Sequence, residues 1–415
     1  MKKQLIPLLP ALATSLLMNA QTIRFDNPLE TKYKTFSVIG DSYSTYVGKT
    51  EPTTNAQFYP HETIDVYEAT QTWWMLFQRE TGIRLEQNNS FSGGTICNTW
   101  WNGEDASTVS FVCRSQNLRK ADLIIIEGGT NDSNAGSPIG SYKYSDWTTQ
   151  DLKSFRPALA KTIDYLQQKY PEAQLVFMLN NGLKTDINTS VNEICSHYNV
   201  PVMTLSGVSK SLDHPTYSGM QTISHQLVST LLDNEYMPLV ESATITLRQP
   251  VEDAKVYFHM PLKEGYWTTI CLPFDLNAEQ MAQLFGDGAI VAEYSGDAYV
   301  DDDNPTHATM QFRRVNQTEA GKPYLLRPMV TRNKGVFIED FTLPASNAKS
   351  SKGSDFSFLG LYRNMSFYTS QTTCFLLHGD GTLDNPASAT QLGSMHAYVI
   401  APKGVTDVSF ELTEE

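Results

Sequence analysis

The chain has 415 residues, more than one hydrophobic core usually organises, so we expect two domains. Hydrophobic residues make up 40% of it and charged residues 18%, which is ordinary for a globular protein. Its formal net charge of -14 argues against nucleic acid or an anionic membrane surface as a partner, because like charges repel. Uncharged and cationic ligands remain open.

Residues 1–20 are predicted to form a secretory signal peptide. Lys2 and Lys3 precede an apolar run over residues 5–18, and Ala20 offers a small residue at a cleavage point. The run is too short and too broken by prolines to span a membrane. We therefore expect an exported protein, periplasmic, cell-surface or secreted, with no membrane span; a buried N-terminal helix is the alternative interpretation.

From Thr35 to about Leu232, strand-like apolar runs alternate with segments of helical periodicity. The predicted strands are residues 35–40, 84–89, 121–129, 173–179 and 201–207, and the predicted helices are residues 71–82, 151–170 and 191–198. This alternation predicts βαβ units around a parallel sheet, in a first domain over residues 21–236. Ligands of such sheets bind at the carboxyl ends of the strands.

The pattern changes near residues 234–242. Beyond it lie short segments rich in β-branched and aromatic residues, separated by Gly, Asp, Asn and Pro clusters. Residues 245–415 are therefore predicted to form an all-β domain, whose role the sequence leaves open. The acidic stretch from Asp297 to His307 is predicted to be a long loop.

Four short strings carry chemistry: VIGDSYST (38–45), SFSGGT (90–95), EGGTND (127–132) and DHPTYSG (213–219). They supply a serine on a turn after an apolar strand (Ser42), a glycine N–H (Gly93), an asparagine amide (Asn131) and a histidine (His214). These are the nucleophile, oxyanion donors and base of an acyl-transfer enzyme. Asp41 is expected to brace the serine loop by hydrogen bonding.

Each string alone is a weak signal. A lone G-D-S is common, and glycine or Asn-Asp can simply form turns. The strings gain weight because they follow successive strands and would meet at one edge of the sheet. Of the eight histidines, His214 alone follows a predicted strand at that edge and precedes a helix, whereas His225 falls within the helix.

Together the four strings resemble the blocks of the SGNH hydrolase (GDSL esterase) superfamily, over roughly half of the chain. The strings TWW, NNSFSGGTIC, FVCR, GGTND and HPTYSGM are similar to an exported bacterial subgroup, and TTICLPFDL and AGKPYLLRP to β-domains appended to such proteins. The resemblance implies a flavodoxin-like three-layer αβα sandwich. It also implies Ser42 as nucleophile, His214 as base, and the Ser42 and Gly93 N–H groups with Asn131 as oxyanion hole. No cofactor and no metal are implied, and the substrate would be an acylated glycan or another small ester.

One position departs from the family pattern. Members usually carry an aspartate three residues before the histidine, and here that residue is Ser211. Asp213 is adjacent to His214 and poorly placed to reach its ring. A backbone carbonyl, Ser211 or an acid from elsewhere could orient the imidazole, with Asp41 and Asp132 as further supporting candidates.

Trp100 and Trp101, in a loop after Gly93, are candidates for the wall of an acyl or glycan pocket. Trp73 and Trp74 have helical spacing and are predicted to be core. Arg114 could bind a carboxylate, although a surface ion pair is the simpler expectation.

Five cysteines show no spacing typical of a zinc site. Cys97 and Cys113 could form a disulfide or remain buried thiols, since the sequence does not give the distance between them.

Two functions from different classes follow. The first is an exported carbohydrate esterase that acts through an acyl-enzyme on Ser42. The second is a catalytically weak SGNH-like protein that binds glycans or mediates adhesion. The oligomeric state stays open.

Overall fold

In the computed structural model of this chain, residues 22–413 are described. The predicted signal peptide lies outside the described residues. The first part of the chain folds in the order β1 (Thr22–Arg24), α1 (Pro28–Lys32), β2 (Thr35–Ile39), α2 (Trp73–Thr81), β3 (Arg84–Asn88), α3 (Phe111–Arg114), β4 (Leu123–Gly128), α4 (Thr130–Ala135), α5 (Phe155–Lys169), β5 (Gln174–Leu179), α6 (Thr185–His197), β6 (Val202–Thr204), β7 (Lys210–Ser211), β8 (His214–Pro215) and α7 (Tyr217–Leu231).

The second part consists almost entirely of strands. Its elements are β9 (Met237–Val240), β10 (Val251–His259), β11 (Thr268–Ile270), α8 (Ala278–Phe285), β12 (Ile290–Val300), β13 (His307–Arg314), β14 (Tyr324–Arg327), β15 (Val336–Leu343), β16 (Ser350–Lys352), β17 (Ser357–Gly360), β18 (Met365–Phe367), β19 (Cys374–Leu377), β20 (Leu383–Asp384), β21 (Thr390–Leu392), β22 (Ala397–Ile400) and β23 (Asp407–Thr413).

A parallel sheet of five strands, in the order β3-β2-β4-β5-β6, forms the middle layer of the first part. Its inner strands β2, β4 and β5 are buried on both faces, which is why they read as nearly continuous apolar runs. In β4, Leu123 and Ile125 pack with α2 and α7, whereas Ile124 and Ile126 pack with α5 and α6. The predicted αβα sandwich is confirmed.

The helix α2 shows how the sequence directs this packing. Trp73, Trp74 and Phe77 are completely or almost completely buried against the sheet, as their spacing predicted. Phe77 meets Phe36 of β2 edge to face, with 5.1 Å between ring centroids. The helix ends at Gly82, whose φ of 79° is the left-handed conformation that glycine adopts most readily.

The second part confirms the predicted β-rich region and contains a sheet of ten strands, with α8 as an addition that was not predicted. The acidic stretch corrects one expectation. It was predicted as a loop over Asp297–His307, but β12 continues to Val300 and pairs with β13, so the connection is only residues 301–306. Cross-strand pairing between β12 and β13 tolerates exposed acidic side chains such as Asp297, and charge alone therefore misplaced the strand end.

The two parts share a sheet and a hydrophobic core. The strands β1 and β9, which lie before and after the hydrolase-like part, join β15 and β10 in a sheet of order β1-β15-β10-β9. Along β15, Val336 and Ile338 pack into the core of the second part, whereas Phe337 turns towards α2 and α7. Tyr257 of β10 also packs with α2 and α7. Residues of the second part thus complete the core of the first.

Among residues 22–413, no helix has both the length and the apolar character needed to cross a bilayer.

The shared core predicts that Phe337→Ala destabilises the first part of the chain as well as the second. Phe337 is fully buried and its ring lies 5.0 Å from that of Tyr236. A buried Phe→Ala change costs about 3–5 kcal/mol. Urea denaturation followed by tryptophan fluorescence, with Trp73 and Trp74 as reporters of the first part, measures the loss. The matched control is Tyr368→Ala, at an exposed ring of the second part; equal effects of the two changes would refute a shared core.

Candidate active site

The predicted site residues gather at the carboxyl edge of the parallel sheet. Ser42 begins a single 3-10 turn, Ser42–Ser44, directly after β2 in the middle of the sheet. Gly93 follows the neighbouring strand β3, and Asn131 lies in α4 after β4, the neighbour on the other side. His214 is placed by the hairpin of β7 and β8. The topology thus brings together the four strings that lie far apart in the chain.

Ser42 and His214 form a hydrogen-bonded pair. The distance from Ser42 Oγ to His214 Nε2 is 2.8 Å, and His214 Nδ1 lies 2.8 Å from the carbonyl oxygen of Leu212. A carbonyl oxygen only accepts, so Nδ1 carries the proton. The neutral ring therefore turns its Nε2 lone pair towards the Ser42 hydroxyl, as a general base requires.

The turn that supplies this carbonyl is strained. Ser211 pairs with His214 across the hairpin, so Leu212 and Asp213 form a two-residue turn, with φ values of 49° and 59°. Such turns favour Asn, Asp or Gly, so the strain falls mainly on Leu212, for which a left-handed conformation costs about 1–2 kcal/mol. The phenol of Tyr43 donates to Asp213 O at 2.6 Å and holds the turn in place.

Of the open alternatives for orienting His214, the structure therefore presents the backbone carbonyl. Neither the Ser211 nor the Asp213 side chain hydrogen bonds to the ring among the residues described. Asp213 acts on it only through its charge, which favours the protonated ring.

An aromatic stack holds the faces of the imidazole. Phe58 lies parallel to His214, with 3.5 Å between centroids and 8° between planes, and His61 also stacks on Phe58, with 5.0 Å between centroids. Burial lowers the pKa of His214 below its ordinary value of 6.5, against the opposing effects of the Leu212 hydrogen bond and the Asp213 charge. The ring is thus kept neutral and fixed without a carboxylate.

The predicted oxyanion donors follow β2 and its two neighbouring strands in the sheet. Among the described residues, the Ser42 and Gly93 N–H groups have no hydrogen-bond acceptor, while the Asn131 amide donates one N–H to Gly94 O at 3.1 Å and keeps its second. Gly93 adopts a φ of 79°, and its carbonyl accepts from Trp100 Nε1 at 2.6 Å. Three N–H donors are therefore available near the serine.

Asp132 supports the loop that carries Gly93. Its buried carboxylate accepts from the backbone N–H groups of Ile96 at 2.8 Å and Cys97 at 3.2 Å. Burial raises its pKa to about 6, although these hydrogen bonds oppose the shift.

Beneath the serine turn lies a buried carboxyl pair that includes a residue the sequence analysis did not assign. Glu127 Oε2, at the end of β4, accepts from the Asp41 backbone N–H and from the Ser44 hydroxyl, both at 3.0 Å. Asp41 in turn accepts from the Tyr43 N–H at 3.1 Å, as its predicted bracing role requires. Burial raises the pKa of Asp41 to about 6, and burial with the neighbouring Asp41 charge raises that of Glu127 well above its ordinary value. The sequence did offer a signal for Glu127, which is an acidic residue at the end of an otherwise apolar strand.

Arg114 corrects an expectation. It was predicted to form a surface ion pair or to bind a substrate carboxylate, but it is only 5% exposed. Its guanidinium donates to Val109 O and Asn89 O and lies 4.5 Å from the centre of the Phe111 ring. Burial lowers its pKa to about 9, while the charges of Asp41 and Glu127 oppose the shift. The buried guanidinium of Arg114 thus interacts electrostatically with the carboxyl groups of Asp41 and Glu127.

Trp100 and Trp101, the candidates for a pocket wall, differ in exposure. Trp100 is partly buried and its ring covers Gly93, whereas Trp101 is 40% exposed. All five cysteines are free thiols in the structure, so Cys97 and Cys113 are not paired.

The first part of the chain is similar to known proteins. A family model described as GDSL-like lipase/acylhydrolase matches residues 34–231. A solved structure described as a GDSL-like lipase from Bacteroides ovatus is 45% identical, over 48% of this chain and 98% of that one, with a TM-score of 0.48. This chain belongs to the GDSL-like, or SGNH, hydrolase family.

A second GDSL-like lipase structure, from Bacteroides uniformis, is 40% identical, covering 49% of this chain and 99% of that chain at a TM-score of 0.48. No curated protein matches the chain. Both solved relatives are matched over nearly their whole length, while about half of the SGNH hydrolase chain described here lies outside each match.

The buried carboxyl pair predicts a pH-dependent effect of Glu127→Gln. In the wild type, the raised pKa of Glu127 means that stability falls as pH rises above the ordinary glutamate value of 4.5. Glutamine has no proton to lose, so the variant should be more stable than wild type at pH 8, by about 1 kcal/mol, and nearly equal to it at pH 4. Urea denaturation at both pH values measures this, with exposed Glu193→Gln as control. If Glu127→Gln were less stable than wild type at both pH 4 and pH 8, the folded protein would contain Glu127 in its ionised form, contrary to this prediction.

The aromatic stack predicts that Phe58→Ala moves the acidic limb of the pH profile. Removing the ring exposes His214, so its pKa should rise towards 6.5. The limb of kcat/KM for p-nitrophenyl acetate should then shift to higher pH, because the base must be unprotonated to act. Phe25→Ala, at an exposed ring outside the site, should leave the profile unchanged. A loss of rate equal at every pH would contradict this role.

Proposed function

We propose that this SGNH hydrolase is an exported serine esterase that removes an acyl group, first of all acetyl, from a carbohydrate. The observation that carries the proposal is the pair of 2.8 Å contacts that join Ser42 Oγ to His214 Nε2 and His214 Nδ1 to Leu212 O. It provides a nucleophile, a base and the tautomer that links them. Ser211 at the usual acid position slightly favours the alternative of a catalytically weak, glycan-binding protein, whereas the contact of His214 with the Leu212 carbonyl supports the esterase.

In the proposed reaction, Ser42 Oγ attacks the ester carbonyl while His214 Nε2 takes the hydroxyl proton. The N–H groups of Ser42 and Gly93 and the Asn131 amide bind the resulting oxyanion, and each such donor contributes about 3 kcal/mol. His214 then gives its proton to the leaving sugar oxygen, which departs and leaves the acyl group on Ser42. Water then attacks this ester as His214 Nε2 accepts its proton. The bond from Ser42 Oγ to the acyl carbon breaks, His214 returns the proton to Ser42 Oγ, and the carboxylic acid is released.

The tryptophans support a small acyl group and a sugar. Trp100 places its ring against Gly93, beside the position of the ester carbonyl, and leaves an aromatic wall there. Trp101 presents an exposed flat face, which suits the apolar face of a pyranose. The signal peptide expected in residues 1–20 would take the enzyme to extracellular glycans.

The assignment is tested with p-nitrophenyl acetate, butyrate and octanoate and with acetylated xylan. We expect acetate to be the best of the three model esters. Ser42→Ala and His214→Ala should each lower kcat/KM by about 10⁴-fold or more, since the two residues act as a unit. Ser388→Ala, at an exposed serine of the second part, is the matched control and should retain full activity.

Trp101→Ala tests the carbohydrate part separately. It should raise KM for acetylated xylan several-fold and leave kcat/KM for p-nitrophenyl acetate unchanged. If the wild type is no more active than Ser42→Ala and binds glycans, the esterase proposal is wrong and the protein is a glycan-binding protein.

A further inference from the structure

A cluster of three ionisable side chains lies between the two parts of the chain, away from Ser42. Glu80 is in α2, His225 in α7 and His259 at the end of β10. They are 1%, 5% and 3% exposed, and one ligand-capable atom from each lies within 4.8 Å of those of the others. A buried carboxylate and two buried imidazoles need a partner that compensates for their lost hydration.

The distances in the cluster are long for hydrogen bonds. His225 Nε2 lies 3.3 Å from Glu80 Oε1 and also 3.3 Å from His259 Nδ1. Good N–H hydrogen bonds are shorter, with a mode of about 2.9–3.0 Å, and one proton on Nε2 would have to serve two acceptors. By contrast, metal–ligand bonds of about 2.0–2.1 Å in a tetrahedron place neighbouring ligand atoms about 3.3–3.4 Å apart. The two distances of 3.3 Å, from His225 Nε2 to Glu80 Oε1 and to His259 Nδ1, match this expected separation of ligand atoms.

The outer contacts of the three side chains fix their ligand atoms. His259 Nε2 lies 3.2 Å from Asn333 O, which only accepts, so Nε2 carries the proton and Nδ1 offers a lone pair to the cluster. His225 Nδ1 lies 2.6 Å from Ser242 Oγ and can donate to it, which frees Nε2.

The carboxylate is held in the same way. The Ser224 hydroxyl donates to Glu80 Oε2 at 3.0 Å and leaves Oε1 for the cluster. Each of the three side chains thus has one outer partner, which is the arrangement that orients the ligands of protein metal sites.

We propose that Glu80 Oε1, His225 Nε2 and His259 Nδ1 bind a zinc ion, with water as the fourth ligand. Two imidazoles and a carboxylate are a common zinc ligand set. The expectation of no metal arose from cysteine spacing and from the family resemblance, neither of which bears on ligands from three distant segments.

The proposed ion would cross-link the hydrolase part to the β-rich part. Two ligands come from helices that cover the parallel sheet and the third from a strand of the sheet shared by both parts. The cluster lies in the same interface as Tyr257, whose ring stacks with that of His259 at 6.4 Å. A metal here stabilises the joint without taking part in the chemistry at Ser42.

The test uses the full chain, unfolded in guanidinium with a chelator and refolded with Zn²⁺, Co²⁺ or neither. After gel filtration, elemental analysis should find about one zinc per wild-type chain, with at least a tenfold loss in His225→Gln, His259→Gln and Glu80→Gln. His197→Gln, in the last turn of α6, is the matched control and should bind as much zinc as wild type. Zinc should raise the melting temperature of wild type and not that of His259→Gln.

The Co²⁺ form keeps the test decisive if a variant fails to fold, because it needs only the wild type. Strong visible absorption of the tetrahedral type supports the site. Weak absorption of the octahedral type, zinc uptake below a tenth of an equivalent, uptake unchanged in all three variants, or a preference for another metal over zinc would each overturn the proposal.

Discussion

The hydrogen bond from His214 Nδ1 to the Leu212 carbonyl is the interaction on which the chemistry of the site depends. It selects the tautomer, and the tautomer decides whether the Ser42 hydroxyl meets a lone pair or a second proton. In the best-known triad, an acid replacement that produces the wrong tautomer costs about 10⁴ in rate. A carbonyl keeps the right tautomer and gives up only the carboxylate charge, so this substitution forfeits less than the absence of an acid suggests.

The carbonyl is in place because the backbone is strained at Leu212 and because Tyr43, the residue after the nucleophile, holds the turn by a hydrogen bond. Tyr43, next to Ser42, holds Asp213 O, and Asn180 Nδ2 contacts the same phenol at 3.0 Å. The positions of nucleophile and base are therefore coupled through one ring. Strain of this kind persists only where the surroundings over-determine it, which is typical of functional sites.

The parallel sheet and the gathering of the four strings at one of its edges could be predicted from the sequence, because both follow local rules, whereas the three-layer sandwich came from the family resemblance. Strands buried on two faces are apolar throughout, and residues that follow parallel strands must share an edge. What stayed hidden depends on tertiary contacts. Leu212 acts through its backbone, Phe58 through a ring stacked on a residue far along the chain, and Arg114 is buried only because Asp41 and Glu127 compensate for its charge. Neither composition nor periodicity records such partners.

The pairing of β1 and β9 within one sheet has a topological consequence. The strand before the hydrolase fold and the strand after it belong to the same sheet, so the hydrolase is an insertion in the β-rich part rather than a bead joined to it by one linker. The chain before the hydrolase part and the chain after it are both fixed in this sheet, so the hydrolase part forms a closed loop whose two ends are held in place. Releasing the hydrolase part from the β-rich part therefore requires cleavage of the chain on both sides of it.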